Sequence, residues 1–513
     1  MTLESGARPE GQPQPTEGES SVNRLATGAG VSLFGVVMGR GLEFFKQVAL
    51  ARLLGMEAFG LYALGWNVLR SIGVLLPLGL QNGVVRFGAG FWRKDDGALR
   101  SILTRSVALS FAIGCVVTLV LFLMAPWLTD VVFNEPEFTL LFRVFTLMLP
   151  FMGALRVAAN ATRISQRMQY SVAAEEIAQS TINLILFAAL YLLGWQLAGA
   201  VVSTVLSYVA AFALSIYLLR RLFVSAFHSP SRPAVTSRQM VTFSLPTALA
   251  DVSGVIISRA DRIFLGIYWT AADVGVYQAA AQIAIIMAAI LSAFNMILMP
   301  MIADQYHKKN MRQLEELFRI NTKWGIYCIV PLVLVIAFVP EDVMQVIFGP
   351  AFVSGAIVLQ ILTIGQFVNI ATGATGSMLI MTGHQTVWFR LSMVIVVVNL
   401  ALNLTLIPPW GMIGAAVATA LTIGGLFIAS LLLVKRILGL WPYDRRYLKG
   451  IAATAGAMLL LFSVRLLSLS PLANVVVNAI VAAGAFFGLL ILLGLDPEDR
   501  AFIELIRKRV RVK

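Results

Sequence analysis

The 513-residue chain is 58% hydrophobic and only 13% charged. Soluble domains carry about 25% charged residues, so this composition excludes an ordinary water-soluble enzyme and places the chain in lipid. The net charge of +13 does not point to nucleic acid, because the basic residues are spread over short loops between apolar runs, the pattern of cytoplasmic membrane loops. Cys115 and Cys328 both sit inside apolar runs; two cysteines make no disulfide framework and read as small apolar packers.

Residues 1–22 are rich in Pro, Gly, Glu and Ser, which predicts disorder. They lack the basic start and apolar core of a signal peptide, so the first apolar helix is expected to be retained. With about 20 apolar residues needed per crossing, fourteen spans are predicted, centred near residues 38, 70, 116, 149, 185, 208, 253, 288, 331, 365, 396, 423, 457 and 485. Basic loops (Arg86 to Arg100, Arg163/Arg167, Arg220 to Arg238, Lys308 to Arg312, Lys435 to Lys449) alternate with acidic ones (Glu57, Asp130 to Glu137, Asp273, Glu341/Asp342). Lys and Arg mark the cytoplasmic side, so both termini are expected there. The expected fold class is therefore an all-α polytopic membrane protein.

Span 1 is the first anomaly. In "GRGLEFFKQVALAR" (Gly39 to Arg52), the 100° rotation per residue puts Arg40, Glu43, Lys46 and Gln47 within about 120° of one another. Charges at the bilayer centre cost about 2.5–3.5 kcal/mol each and persist where they face a cavity or pair with each other. Span 2 adds Asn67, Arg70, Gln81 and Asn82, and span 4 adds Arg143 and Arg156. Glu175 and Glu176 open span 5, where a structural role is expected, and Arg52, off the stripe, reads as an interfacial anchor. Span 7, "ALADVSGVIISRADRIF", places Asp251, Ser258, Arg259 and Arg262 on one side of its helix, with Asp261 beside them. Snorkelling to an interface is the competing reading for Asp261 and Arg262. Asn399 and Asn403 in span 11 read as interhelical hydrogen-bonding residues. The tail from 496 to 513 is read as a basic cytoplasmic segment.

The chain also repeats itself. A shift of 215 aligns "FGLYAL" (59–64) with "VGVYQA" (274–279), "FWRKDDGALRSIL" (91–103) with "YHKKNMRQLEELF" (306–318), "VVFN" (131–134) with "VIFG" (346–349), and "WQLAGAVVSTVL" (195–206) with "WGMIGAAVATAL" (410–421). Each unit holds six spans, an even number, so the two are parallel repeats about an axis along the membrane normal. The expected division is an N-lobe over 23–222, a cytoplasmic linker over 223–238, a C-lobe over 239–437, and two additional spans over 447–495. Under the shift Lys46 aligns with Asp261, so the charge sign is exchanged between the halves.

No P-loop occurs, and His228, His307 and His384 lie in no metal-ligand spacing. No enzymatic activity and no cofactor are expected. Arg40, Lys46, Arg70, Arg259 and Arg262 are the candidates for binding an oxygen-rich anion, with Asn67, Gln81, Asn82 and Gln47 as the candidates for binding neutral polar groups. Glu43, Asp251 and Asp261 are the candidates for proton or sodium coupling or for charge balance. Two other readings stay open: a multidrug or organic-cation antiporter, which calls for a net acidic cavity, and a polymerase or ligase of lipid-linked sugars, which calls for a large outer loop.

Span 1 running into "ARLLGMEAFGLYAL", its counterpart "DRIFLGIYWTAADVGVYQAA", and the 6 + 6 + 2 organisation resemble bacterial polysaccharide flippases of the multidrug/oligosaccharidyl-lipid/polysaccharide (MOP) exporter superfamily. The resemblance covers nearly the whole chain from about Val22. It implies movement of an undecaprenyl-pyrophosphate-linked oligosaccharide to the outer leaflet of the bacterial inner membrane by alternating access through a cationic cavity. The resemblance implies that in this cavity Arg40, Lys46, Arg70, Arg259 and Arg262 would bind the pyrophosphate and Asn67, Gln81, Asn82 and Gln47 the sugar hydroxyls. Membrane lipids and polysaccharide polymerase or export proteins are the partners it implies, and nucleic acid is not among them. Arg40, Lys46 and Arg52 match the spacing of basic residues on span 1 of the lipid II flippase branch. Lys46 stands where that branch has Arg, which keeps the charge and loses the bidentate fork.

Overall fold

The computed structural model describes residues 17–165 and 167–500. Among the described residues the regular elements are helices, and no strand occurs. In hydrocarbon no water pairs with backbone N–H and C=O groups, and a helix satisfies them within one segment. Eleven helical stretches are long and apolar enough to cross a membrane. Two of them, Val37–Gly73 and Gln385–Leu438, are broken by glycines in positive-φ conformations, Gly55 (φ 78°) and Gly411 (φ 54°). A side chain is strained at such angles and glycine is not. Length and apolarity alone thus reach eleven stretches where fourteen spans were expected.

The first half runs through α1 (Glu17–Gly73), α2 (Leu80–Phe91), α3 (Asp96–Pro126), α4 (Thr139–Thr146), α5 (Leu149–Ala161), α6 (Met168–Val172), α7 (Gln179–Leu192) and α8 (Gln196–Leu222). A short α9 (Val224–His228) lies in the connection. The second half follows with α10 (Ser237–Tyr268), α11 (Ala271–His307), α12 (Met311–Phe338), α13 (Pro340–Phe348), α14 (Ala356–Ala371), α15 (Thr375–Met381) and α16 (Gln385–Leu438). The last pair, α17 (Tyr447–Val464) and α18 (Pro471–Leu492), packs together and against α12 and α13. α10 carries Arg259, Asp261 and Arg262 and falls outside the eleven apolar stretches.

The repeat is visible in single hydrogen bonds. The Tyr62 hydroxyl lies 3.0 Å from Thr204 Oγ1, and the Tyr277 hydroxyl donates to Thr419 Oγ1 at 3.4 Å. Both residues of one pair are displaced by 215 from those of the other. The two halves touch where α1, just past its kink, crosses the start of α11. There Gly60 lies against Gly275, its own repeat mate. A Cβ on Gly60 would strike the Ala271 carbonyl, and one on Gly275 would strike the Met56 carbonyl. Small residues let membrane helices approach backbone to backbone, and this pair marks the pseudo-two-fold axis. Away from it, large apolar side chains such as Leu192 (86% exposed) and Leu466 (82%) face outward, as lipid contact requires and water does not tolerate.

Three expectations are corrected. α1 begins at Glu17, so helix reaches into the 1–22 segment read as disordered; residues 1–16 lie outside the described set. The start of the tail read as basic is acidic and packed: Asp496, Glu498 and Asp499 close on Lys323 of α12 at 3.2, 2.6 and 3.0 Å. Residues 501–513 lie outside the described set. Arg52 is more than an interfacial anchor. It donates to the carbonyls of Ile347 (2.7 Å) and Val346 in the last turn of α13, binding carbonyls a helix end leaves unpaired and tying the halves together.

Candidate functional site

The charged residues of the first half gather on α1. Glu43 and Lys46, one turn apart, form a 2.5 Å ion pair, and Gln47 donates to Glu43 at 3.0 Å. The Lys46 side chain is fully buried. Its ammonium lies 5.2 Å from the centroid of the Trp66 ring, and the Arg70 guanidinium lies 5.2 Å from the same ring. One aromatic therefore seats two cations, each attracted by its π-face. The kink at Gly55 makes this possible by folding the two parts of α1 back so that residues 43–47 and 66–70 share one neighbourhood. Arg70 also interacts electrostatically with Glu43, Glu175 and Glu176. Those last two lie on a π-helical turn between α6 and α7 (Ala173–Ala178), flanked by Arg156 and Arg163.

In the second half the charges face the same interior from α10. Asp261 and Arg262 are buried, at 2% and 5% exposure, which overturns the snorkelling reading for both. Asp261 Oδ1 accepts from the Arg262 amide (2.8 Å) and guanidinium (3.0 Å). Its Oδ2 accepts from the Tyr277 hydroxyl (2.5 Å) and Thr419 (2.9 Å). A carboxylate with four such donors is charge-balanced in place.

A hydrogen-bonded chain then crosses between the halves. Arg259 Nη1 donates to Asn67 Oδ1 at 2.7 Å, Asn67 Nδ2 reaches Gln278 Oε1 at 3.4 Å, and Arg262 Nε donates to Gln278 Oε1 at 2.6 Å. Lys46, Arg70, Arg259 and Arg262 against Glu43 and Asp261 leave this interior at +2, and Glu175 and Glu176 with the nearby Arg156 and Arg163 add two charges of each sign and leave that balance unchanged. The arrangement suits an anion with several oxygen acceptors, since guanidinium and amide groups are its main donors.

The other expected site residues lie further out. Arg40 is exposed on α1, one turn before Glu43. Gln81 is buried at the start of α2, and Asn82 beside it is exposed. The Asp251 side chain lies outside the described set. Among the described residues no group of His, Cys, Asp or Glu is arranged to hold a metal ion. Gln278, Tyr277, Trp66 and Thr419 were missed as single residues. Tyr277 and Thr419 nevertheless stand inside the aligned repeat blocks beside their mates Tyr62 and Thr204, and that was the signal for them. Gln278 replaces Ala63 of the first repeat, and only its reach across the interface reveals it.

The family model described as "polysaccharide biosynthesis protein" matches residues 25–306, and the MatE model matches residues 246–405. The probable low-salt glycan biosynthesis flippase Agl15 of Haloferax volcanii is 26% identical over 189 residues, covering 36% of this chain and 39% of that protein. The capsular polysaccharide biosynthesis protein CapF of Staphylococcus aureus is 22% identical over 245 residues, covering 47% and 61%. In both cases the chain spans less than two thirds of the relative's length. Among solved structures, the lipid II flippase MurJ in an inward closed conformation superposes with a TM-score of 0.71 at 11% identity, over 90% of this chain and 98% of that one. An inward-facing multidrug resistance MATE transporter of the MOP superfamily superposes at 0.63 with 18% identity, over 80% and 98%. With more than half of its length matched by one family and two crossed-over helical halves around a charged interior, the chain belongs to the polysaccharide biosynthesis protein family and has the fold of MOP-superfamily transporters.

Proposed function

We propose that this chain is a transporter that flips an undecaprenyl-pyrophosphate-linked oligosaccharide across the membrane by alternating access. The observation that carries this reading is the inter-half chain Arg259–Asn67–Gln278–Arg262, set opposite Lys46 and Arg70 in an interior of net charge +2. A pyrophosphate is the part of such a substrate least able to cross hydrocarbon, and planar guanidinium forks match its oxygens. Counting each kinked stretch as two crossings and adding α10 returns fourteen. The basic loops then lie on the cytoplasmic side, with both termini there. An inside-negative potential drives negative charge outward by about 2.3 kcal/mol per charge per 100 mV, so voltage supplies direction; Glu43 and Asp251 remain the candidates for ion coupling. The reading of the chain as no enzyme rests on the transporter fold.

The test is surface glycan in cells that depend on this chain. Arg70→Ala and Arg259→Ala each remove a charged hydrogen-bonding group worth about 1.5–3 kcal/mol, so flux falls roughly 10- to 150-fold. Normal glycan at normal protein abundance in both variants overturns the cationic-interior reading. The MatE match over 246–405 favours drug efflux as the second reading. That reading predicts raised sensitivity to organic cations in the null strain with surface glycan unchanged.

A further inference from the structure

On the face of the molecule that carries the basic loops, Trp92, Arg93, Lys94 and Asp96 of the α2–α3 turn and Leu222, Phe223 and Ser225 of the α8–α9 joint line a cavity of about 180 Å³. One water needs only about 10–15 Å³. Arg93 sits in the left-handed region (φ 61°), a conformation that costs a non-glycine residue energy and is held by its surroundings. Its guanidinium lies 4.7 Å from the Trp92 centroid, so one cation is already seated on the cavity wall. Neither Arg93 nor Lys94 forms an ion pair among the described residues.

The repeat keeps two basic residues at this turn, Arg93/Lys94 and Lys308/Lys309, and partners them differently. The same turn recurs in the second half, where Asn310 accepts from the Gln313 amide as Asp95 accepts from that of Ala98. There Lys308, the mate of Arg93, is neutralised by Asp304 at 2.8 Å. The mate of Asp304 in the first half is Ala89. The only acid on the cavity wall, Asp96, sits in the first turn of the 31-residue α3, where helix amides offset its charge. The lining also mixes aromatic and apolar groups with its cations, as sites at a membrane boundary do. Trp92 is half-buried, as interfacial tryptophans are, and Val224 next to the lining is 52% exposed. Finally, the connection between the halves docks here, through Arg232 N to Gly97 O (3.1 Å) and Arg100 Nη1 to Ser229 O (2.7 Å).

We propose that this cavity binds a phosphate ester, the headgroup of an anionic phospholipid or a soluble phosphate monoester, through Arg93, Lys94 and the Ser225 hydroxyl. Basic pockets between membrane helices on the leaflet rich in anionic lipid take such headgroups. Bound there, the ester holds the exit of the inter-half connection against the first half.

Native mass spectrometry of the full chain tests this with phosphatidylglycerol, phosphatidylcholine and free glycerol 3-phosphate as probes. Phosphatidylglycerol is expected to bind saturably and phosphatidylcholine far more weakly. In Arg93→Gln/Lys94→Gln the affinity falls about 30-fold, at about 1 kcal/mol per charge. In Lys308→Gln/Lys309→Gln it stays within about twofold. Displacement by free glycerol 3-phosphate supports the site and assigns it to soluble esters; no displacement supports it and assigns it to lipid. Equal binding of the two lipids, or equal loss in both double variants, overturns the proposal. Matched melting temperatures of the variants separate these outcomes from misfolding.

Discussion

Lys46 and Asp261 occupy the same place in the two repeats and have opposite fates. Asp261 is locked by four donors, two of them Tyr277 and Thr419, the mates of a pair that in the first half bond to each other around Tyr62 and Thr204. Lys46 has one carboxylate partner, Glu43, itself a quarter exposed, and an aromatic ring. The same scaffold thus holds a consumed charge on one side and a lightly held one on the other. The first half therefore keeps the less saturated charge, while in the second half Asp261 is already satisfied and Arg259 reaches across to Asn67.

The largest expected effect follows directly. Removing Asp261 leaves a buried arginine and two hydroxyls without their acceptor, so Asp261→Ala should cost about 3–5 kcal/mol of stability in detergent unfolding. Lys46→Met should cost clearly less while abolishing transport, because Glu43 keeps Gln47 and partial exposure. Equal destabilisation by the two substitutions would erase the contrast.

Next come the tyrosines. Tyr277→Phe loses a hydrogen bond to a carboxylate, about 1.5–3 kcal/mol, and Tyr62→Phe loses a neutral one, about 0.5–1.5 kcal/mol. A double-mutant cycle of Tyr277→Phe with Asp261→Asn should show coupling that Tyr62→Phe with Lys46→Met lacks.

At the axis the halves should be equivalent. Gly60→Val and Gly275→Val each force apart a backbone contact, at about 1–3 kcal/mol. Unfolding midpoints for the two should agree, and a large inequality would mean that the contact does not lie on the symmetry axis.

The smallest effect concerns the α18 end. Burial alone would raise the carboxyls of Asp496 and Glu498, but hydrogen bonds from Lys449 and Lys323 to Asp496, and from Lys323 to Glu498, overcome it and hold both below the ordinary range. Depressed folded values mean the stabilisation is complete above the unfolded carboxylate range near pH 4 and is lost as pH falls through the folded values. Hydrogen exchange at 496–500 should therefore stay slow at pH 5 and accelerate below about pH 4. Acceleration already between pH 6 and 5 would show that the Lys323 cluster is not the clasp.

The repeat, the stripe on the first span and the exchange of Lys46 for Asp261 were all legible in the order of residues. Helical rotation and a constant shift of 215 are local or periodic properties that need no coordinates. The same holds for the membrane class, since 58% hydrophobic residues leave few other solvents for the chain. What the sequence could not determine is which charges are consumed. For Asp261 and Arg262 the place in the span left an interfacial and an interior position both open; they are buried, with Tyr277 and Thr419, 16 and 158 positions on, converging on Asp261. Arg52 finds its carbonyls 294 and 295 positions away. Lys323 draws the end of α18 across 173 positions. Partner choice at such separations depends on how helices cross, and crossing is set by packing around contacts such as Gly60–Gly275. Periodicity fixes the face a charge occupies; only the packed structure decides whether another residue of the chain has already satisfied it.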